Sequence, residues 1–228
     1  MESPQVNKTA SYHVIEYSQA RTQDLYVASC GTQRCLPDYA FPRCAQDGFH
    51  LHVVLSGRGK YTVGDQTFSI RGGQLFLIKE QEEVYYQADS QDPWSYVWVT
   101  FKGSRAREYL ELAGFTPGVY VLPCNVDITE FQRLVTGILD RQYVRISSEI
   151  ARFGLALQFL ALAIESWEKT GAVRNRDLSP DNYVDYAVQF IRSNYQHLKI
   201  SEVAEYIGIN RAYLSEIFTR KMYSKRLK

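Results

Sequence analysis

His50 and His52 stand at period-two spacing in Phe49-His50-Leu51-His52-Val53-Val54-Leu55. On a strand both imidazoles project from one face, where two ligands of a metal ion can converge. Two imidazoles alone make a poor first-row metal site, which needs further ligands such as a carboxylate shortly after the pair or another imidazole on a later strand. Ser56-Gly57-Arg58 and Lys79-Glu80-Gln81-Glu82-Glu83-Val84 occupy those stretches, so no metal site is expected and the pair is expected to pack or hydrogen-bond. No nucleophile-base constellation, phosphate-cradling glycine loop or carboxylate pair occurs either, which argues against an enzyme and against a cofactor. Cys30, Cys35, Cys44 and Cys124 form no Cys-x-x-Cys pair, so reduced thiols are expected.

A second constellation lies further along the chain. Ser201 can cap a helix over Val203-Ala204-Glu205-Tyr206-Ile207, Gly208 supplies a left-handed terminating residue, and Asn210 can cap a second helix from Arg211 to Lys221. Ala204, four residues before Gly208, is small where two crossing helices must approach closely. Leu214, Ile217 and Phe218 make the inward face of the second helix. Arg211, Ala212, Ser215, Glu216 and Thr219 then face outward, short or polar groups suited to base edges and phosphates. Although the whole chain carries only +1, basic residues outnumber acidic ones from Lys199 onward, a distribution suited to a DNA-contacting module.

The elements that must position these residues change character along the chain. Of 228 residues, 45% are hydrophobic and 22% charged, ordinary globular usage that disfavours disorder, while the 14% aromatic share stands out and suits strands and a pocket lined by rings. From Leu25 to Phe101, short alternating runs are separated by Ser56-Gly57-Arg58-Gly59, Gly64-Asp65-Gln66 and Gly72-Gly73, the pattern of an antiparallel barrel or jelly roll. Past Phe101 the period becomes helical, with segments expected at Ser104 to Ala113, capped by Ser104, at Asp127 to Tyr143, and at Ser147 to Lys169. The last is apolar over more than one face, which suits a helix sandwiched either against the barrel or against a second subunit. Thr170 to Asp177 reads as a linker, and Ser179-Pro180-Asp181 opens a further helix with Ser179 as cap. No apolar run long enough for a membrane span and no signal-peptide layout at Met1-Glu2-Ser3-Pro4-Gln5 are evident, so a cytoplasmic protein is expected.

With these residues in place, Val203 to Phe218 resembles the first helix-turn-helix of the AraC/XylS transcription regulators. The resemblance implies that the second helix enters the major groove, with Ala212, Ser215 and Glu216 near bases and Arg211 and Arg220 near phosphates. In that family a Gly-x-Ser-Pro-like turn, a linking helix and a second helix-turn-helix follow. Here Lys221-Met222-Tyr223-Ser224-Lys225-Arg226-Leu227-Lys228 stands instead, so a partial DNA-binding domain with weakened affinity for double-stranded DNA is expected.

The barrel stretch resembles the sensor domain of the same family, through Arg43, Leu51 to Gly59, Gly73 to Ile78 and Asp92-Pro93-Trp94-Ser95-Tyr96-Val97-Trp98. It is most similar to regulators of raffinose and multiple-sugar operons. This implies a sugar effector, and Arg43, Tyr86, Tyr96 and Trp98 offer the rings and forked donor that sugar C–H faces and hydroxyls require. The resulting expectation is a mainly β protein with added helices: a cupin-like jelly-roll sensor at 15–101, dimerisation helices at 102–170, a linker at 171–178 and a partial helix-turn-helix domain at 179–228. It describes a homodimeric sugar-responsive transcription regulator without a membrane anchor. The alternative is a metal-dependent cupin enzyme acting on a small sugar or related metabolite.

Overall fold

The computed structural model describes residues 5–9, 12–16, 23–141, 143, 145–171, 180–194 and 199–226. Two compact units divide it, Met1–Thr170 and Gly171–Lys228.

In the first unit, alternating sequence and glycine turns produce two antiparallel sheets. The seven-stranded sheet runs in the order β1 (Gln5–Thr9), β2 (Tyr12–Glu16), β3 (Tyr26–Arg34), β10 (Ser95–Lys102), β5 (Phe49–Ser56), β8 (Gln74–Ile78) and β11 (Val121–Pro123). The four-stranded sheet runs β4 (Ala40–Ala45), β9 (Glu83–Ala88), β6 (Arg58–Val63) and β7 (Gln66–Arg71). Gly64 and Gly73, at φ 54° and 84°, occupy left-handed positions that let β6 turn into β7 and β7 into β8. Together the sheets form a cupin-like jelly-roll barrel.

Because side chains alternate along a strand, the large sheet feeds two cores. Leu51, Val53, Leu75, Leu77, Val97, Val99 and Phe101 pack outward against helices, whereas Val54, Phe76, Ile78, Tyr96 and Trp98 join Tyr61, Val84 and Tyr86 between the sheets. The helices are α1 (Ala106–Leu112), α2 (Ile128–Leu139) and α3 (Ile146–Glu168). Asp127 caps α2 by accepting from the Thr129 N–H at 2.9 Å. Phe131, Leu134, Val135 and Ile138 of α2 and Phe159, Leu160 and Ala163 of α3 complete the outer core.

Several sequence expectations change at their edges. The Ser104 hydroxyl bonds Asp24 instead of capping α1, which starts after Arg105. The expected helix to Tyr143 ends at Leu139, and the expected apolar limit on membrane-length segments is exceeded by α3, which is long and apolar enough to cross a membrane. Its composition has a local cause. One face fills the outer core through Ala156, Phe159, Leu160 and Ala163, while Ile146, Ile150 and Leu157 on the other sides are exposed.

The second unit contains α4 (Pro180–Asn194), α5 (Ile200–Ile207) and α6 (Arg211–Arg226). Ser179 and the linker from 172 to 178 lie outside the described residues. Tyr183, Val184, Ala187, Val203, Ala204, Leu214 and Ile217 form its core. Helix α5 begins after Lys199, so Ser201 falls inside the first turn and does not cap it; the Glu202 carboxylate accepts from the Lys199 N–H at 2.9 Å instead. Gly208 ends α5 at φ 76°, and Asn210 Oδ1 accepts from the Tyr213 N–H at 2.8 Å to start α6.

Candidate functional site

Strand register builds an aromatic cage between the two sheets. Trp98 on β10 pairs with His52 on β5, which pairs with Phe76 on β8. The rings consequently stack in a row: His52 lies 4.4 Å from Phe76 at 10° and 6.0 Å from Trp98 at 22°. Tyr86 and Tyr96 approach His52 edge-on, at 5.9 and 5.2 Å. On the other side of Trp98 stands Gly31, its partner on β3, whose missing side chain makes room for the indole. Phe41 stacks on Tyr86 at 4.7 Å.

Of the expected ligand-binding residues, Tyr86, Tyr96 and Trp98 are thus brought together, with Tyr96 6.2 Å from Tyr86 and 5.9 Å from Trp98. Arg43 lies on β4, but its side chain is outside the described residues. Sequence reading missed His52 as the central ring, and with it Phe76 and Trp94, which stack on each other at 5.7 Å. The signal for His52 was its period-two position between two apolar residues that face the helices.

The cage holds few polar atoms. The Tyr96 hydroxyl donates to Gln33 Oε1 at 2.7 Å. His52 Nδ1 lies 3.3 Å from the His50 carbonyl, so this nitrogen carries the proton and Nε2 is left as an acceptor. Burial, with the neighbouring His50, pushes the His52 pKa down to about 3. His50 is lowered to about 4 by burial and by Lys102, and its Nδ1 shares a hydrogen bond of 2.9 Å with Thr100, which contacts Ser29 at 2.7 Å. Both imidazoles are neutral at pH 7. Their ring centroids are 6.5 Å apart, and among the described residues no group of three or more His, Cys, Asp or Glu is placed to hold a metal.

A second cluster, absent from the sequence reading, closes the same barrel. Tyr61, Phe68 and Tyr120 lie 6.0 to 6.5 Å apart. The Lys79 ammonium sits 4.4 Å over the Tyr120 ring and donates to the Thr116 carbonyl at 2.9 Å, while the Tyr120 hydroxyl donates to Glu82. These residues converge from segments far apart in sequence, so local pattern carries no sign of them.

In the second unit, α6 turns Leu214 and Ile217 inward and leaves Arg211, Ala212, Ser215, Glu216 and Arg220 exposed. The Ser215 hydroxyl donates to the Arg211 carbonyl at 3.0 Å and the Thr219 hydroxyl to the Ser215 carbonyl at 2.8 Å. Lys221 leaves this face, because its ammonium pairs with Asp185 of α4 at 2.7 Å.

Comparison with known proteins gives the family of these parts. The AraC-like ligand-binding domain model matches residues 26–160. The Msm operon regulatory protein of Streptococcus mutans is 29% identical over 86% of this chain and 71% of its own length. The lactose operon transcription activator of Staphylococcus xylosus is 25% identical over 90% of this chain and 73% of its own. Among solved structures, the AraC-like transcriptional activator CuxR aligns over 98% of this chain and 84% of its own, at 14% identity and a TM-score of 0.41.

Proposed function

The chain belongs to the family of AraC-like ligand-binding domains, and from that premise we propose that it is a cytoplasmic, sugar-responsive transcription regulator and not an enzyme. The observation that carries this reading is the aromatic cage around His52. Sugars present C–H faces that stack on rings and hydroxyls that need donors and acceptors. Trp98, Tyr86 and Tyr96 supply the rings, His52 Nε2 an acceptor, and Arg43 a forked donor. Regulation of sugar operons by the two named relatives supports the same effector class.

The cage is closed: Trp98, Tyr86 and Tyr96 keep only 7%, 5% and 1% of their surface exposed. A sugar must therefore part the rings to enter. Its binding energy is then coupled to barrel packing, which is how a sensor favours one of two arrangements. Beyond the barrel, α3 offers Ile146 and Ile150, each 63% exposed, and Leu157, an apolar stripe suited to a second copy of the chain. Exposed Arg211, Ala212, Ser215, Glu216 and Arg220 on α6 are the proposed contacts with double-stranded DNA.

A thermal-shift screen over mono- and oligosaccharides, followed by calorimetry, tests the reading, with divalent metals as a parallel arm. Sugar-dependent stabilisation is expected. Stabilisation by metal alone, with no response to any sugar, would favour the cupin-enzyme alternative.

A further inference from the structure

The four-stranded sheet has a second, polar face. Along β6, Tyr61 and Val63 point into the barrel while Arg58 and Lys60 point outward, and on β7 Ile70 points inward while Arg71 points outward. The outward side chains line an open groove of about 610 Å3, with Ser69, Gln87 and Asp89 at its walls.

Register concentrates positive charge there. Arg58 faces Arg71 directly across β6 and β7, and Lys60, two residues along, faces Ser69 on β7 and Gln87 on β9. Like charges directly opposite on antiparallel strands repel. Two carboxylates, Asp38 and Asp89, also line the groove; Asp89 accepts from the Gln91 and Asp92 N–H groups at 2.9 and 3.0 Å and lies 3.3 Å from Arg58. Those backbone bonds hold the Asp89 carboxyl below the usual range, so its charge stays committed to Arg58. Among the described residues, Lys60 and Arg71 make no ion pair. The groove therefore holds three cations against two carboxylates, with Lys60 and Arg71 in no ion pair among the described residues and Arg58 oriented by Asp89.

We propose that this groove binds a phosphate-type dianion, either free phosphate or the phosphoryl group of a phosphorylated sugar. Arg71 gives the fork that matches two phosphoryl oxygens, Lys60 a compact charge, and Ser69 and Gln87 neutral hydrogen bonds. The site is outside the barrel and does not depend on the sugar cage.

The test uses the full chain in calorimetry and thermal shift at fixed ionic strength. Inorganic phosphate, glucose 6-phosphate and glucose are the probes, and Arg71→Gln, Lys60→Gln and their double variant are compared with Trp98→Phe. Saturable binding of inorganic phosphate or glucose 6-phosphate is expected, about ten-fold weaker or more in the groove variants, with the affinity for inorganic phosphate, which the cage does not recognise, unchanged in Trp98→Phe. Equal affinity for the two phosphates identifies the free ion as sufficient, and tighter glucose 6-phosphate identifies a sugar ester; both support the site. No saturation by either phosphate below about 10 mM, or binding that survives intact in the folded double variant, overturns it. Loss of glucose binding in Trp98→Phe alone reports on the cage and leaves the groove result separate.

Discussion

The imidazole of His52 lies flat against Phe76, with centroids 4.4 Å apart, because the two residues pair across β5 and β8. A protonated ring in that position would be a charge buried among aromatics. With His52 at about 3 and His50 at about 4, against about 6.5 in the unfolded chain, unfolding takes up protons as pH falls. This contribution is fully present above pH 6.5 and is lost progressively as pH falls to about 4 for His50 and about 3 for His52. At pH 5 each imidazole should cost about 2 kcal/mol of stability. Urea unfolding at pH 7 and pH 5 checks this, and His52→Leu should remove about half of the difference. Equal midpoints at the two pH values would contradict the assignment.

Gly31 is a requirement of the same row. A Cβ there would meet the Trp98 ring and the His13 carbonyl oxygen, the latter at 2.5 Å. Backbone oxygen cannot move aside as a flexible side chain does. Gly31→Ala should therefore destabilise the fold by about 1 to 3 kcal/mol and shift the tryptophan emission. Wild-type melting and emission in this variant would show that the row is not closely packed.

Trp98 separates packing from recognition. Trp98→Ala should cost about 3 to 5 kcal/mol through the cavity it leaves. Trp98→Phe keeps a ring and most of the packing but shortens the stacking surface, so sugar affinity should fall about ten-fold with a much smaller loss of stability. Calorimetry and chemical unfolding on both variants distinguish the two effects. Unchanged sugar affinity in Trp98→Phe removes this residue from the proposed pocket.

The row explains what sequence could and could not reveal. Alternation in Phe49 to Leu55 places His52 on one face with Val54 and Leu51 on the other, and that pattern is local. Which ring lies beside His52 depends on the register of β5 with β8 and β10, and those strands are joined by pairings far apart in sequence. Tyr86, Tyr96 and Trp98 were readable as inward positions on their own strands. The Lys79, Tyr120 and Glu82 contacts were not, since they join three separate segments. Helix starts show the same limit: Ser104 and Ser201 carry cap chemistry, but Ser104 is engaged by Asp24 and the first turn of α5 is satisfied by Glu202.

Assembly through α3 can be tested without disturbing the barrel. Ile150 is 63% exposed, so Ile150→Glu leaves the outer core intact while placing a charge in the proposed interface. Sedimentation should show a dimer for the wild type and a monomer for the variant at about 10 µM, within the affinity range of such contacts. A monomeric wild type, or a variant that remains dimeric with an unchanged constant, would locate the interface elsewhere.

DNA binding by α6 makes a prediction that separates two neighbouring cations. Arg220 is exposed, as are Arg211 and Ser215, whereas the Lys221 side chain is only 18% exposed and is paired with Asp185 on α4. A phosphate contact releases counterions, so losing one should reduce the slope of log affinity against log salt by about 0.9. Titration of one duplex over a range of salt should therefore show that reduction for Arg211→Gln and Arg220→Gln. Lys221→Gln should leave the slope close to wild type while loosening the packing of α4 on α6, seen as faster amide exchange in those helices. A full unit lost from the slope in Lys221→Gln, with Arg220→Gln unaffected, would mean that a different face of α6 meets the phosphate backbone.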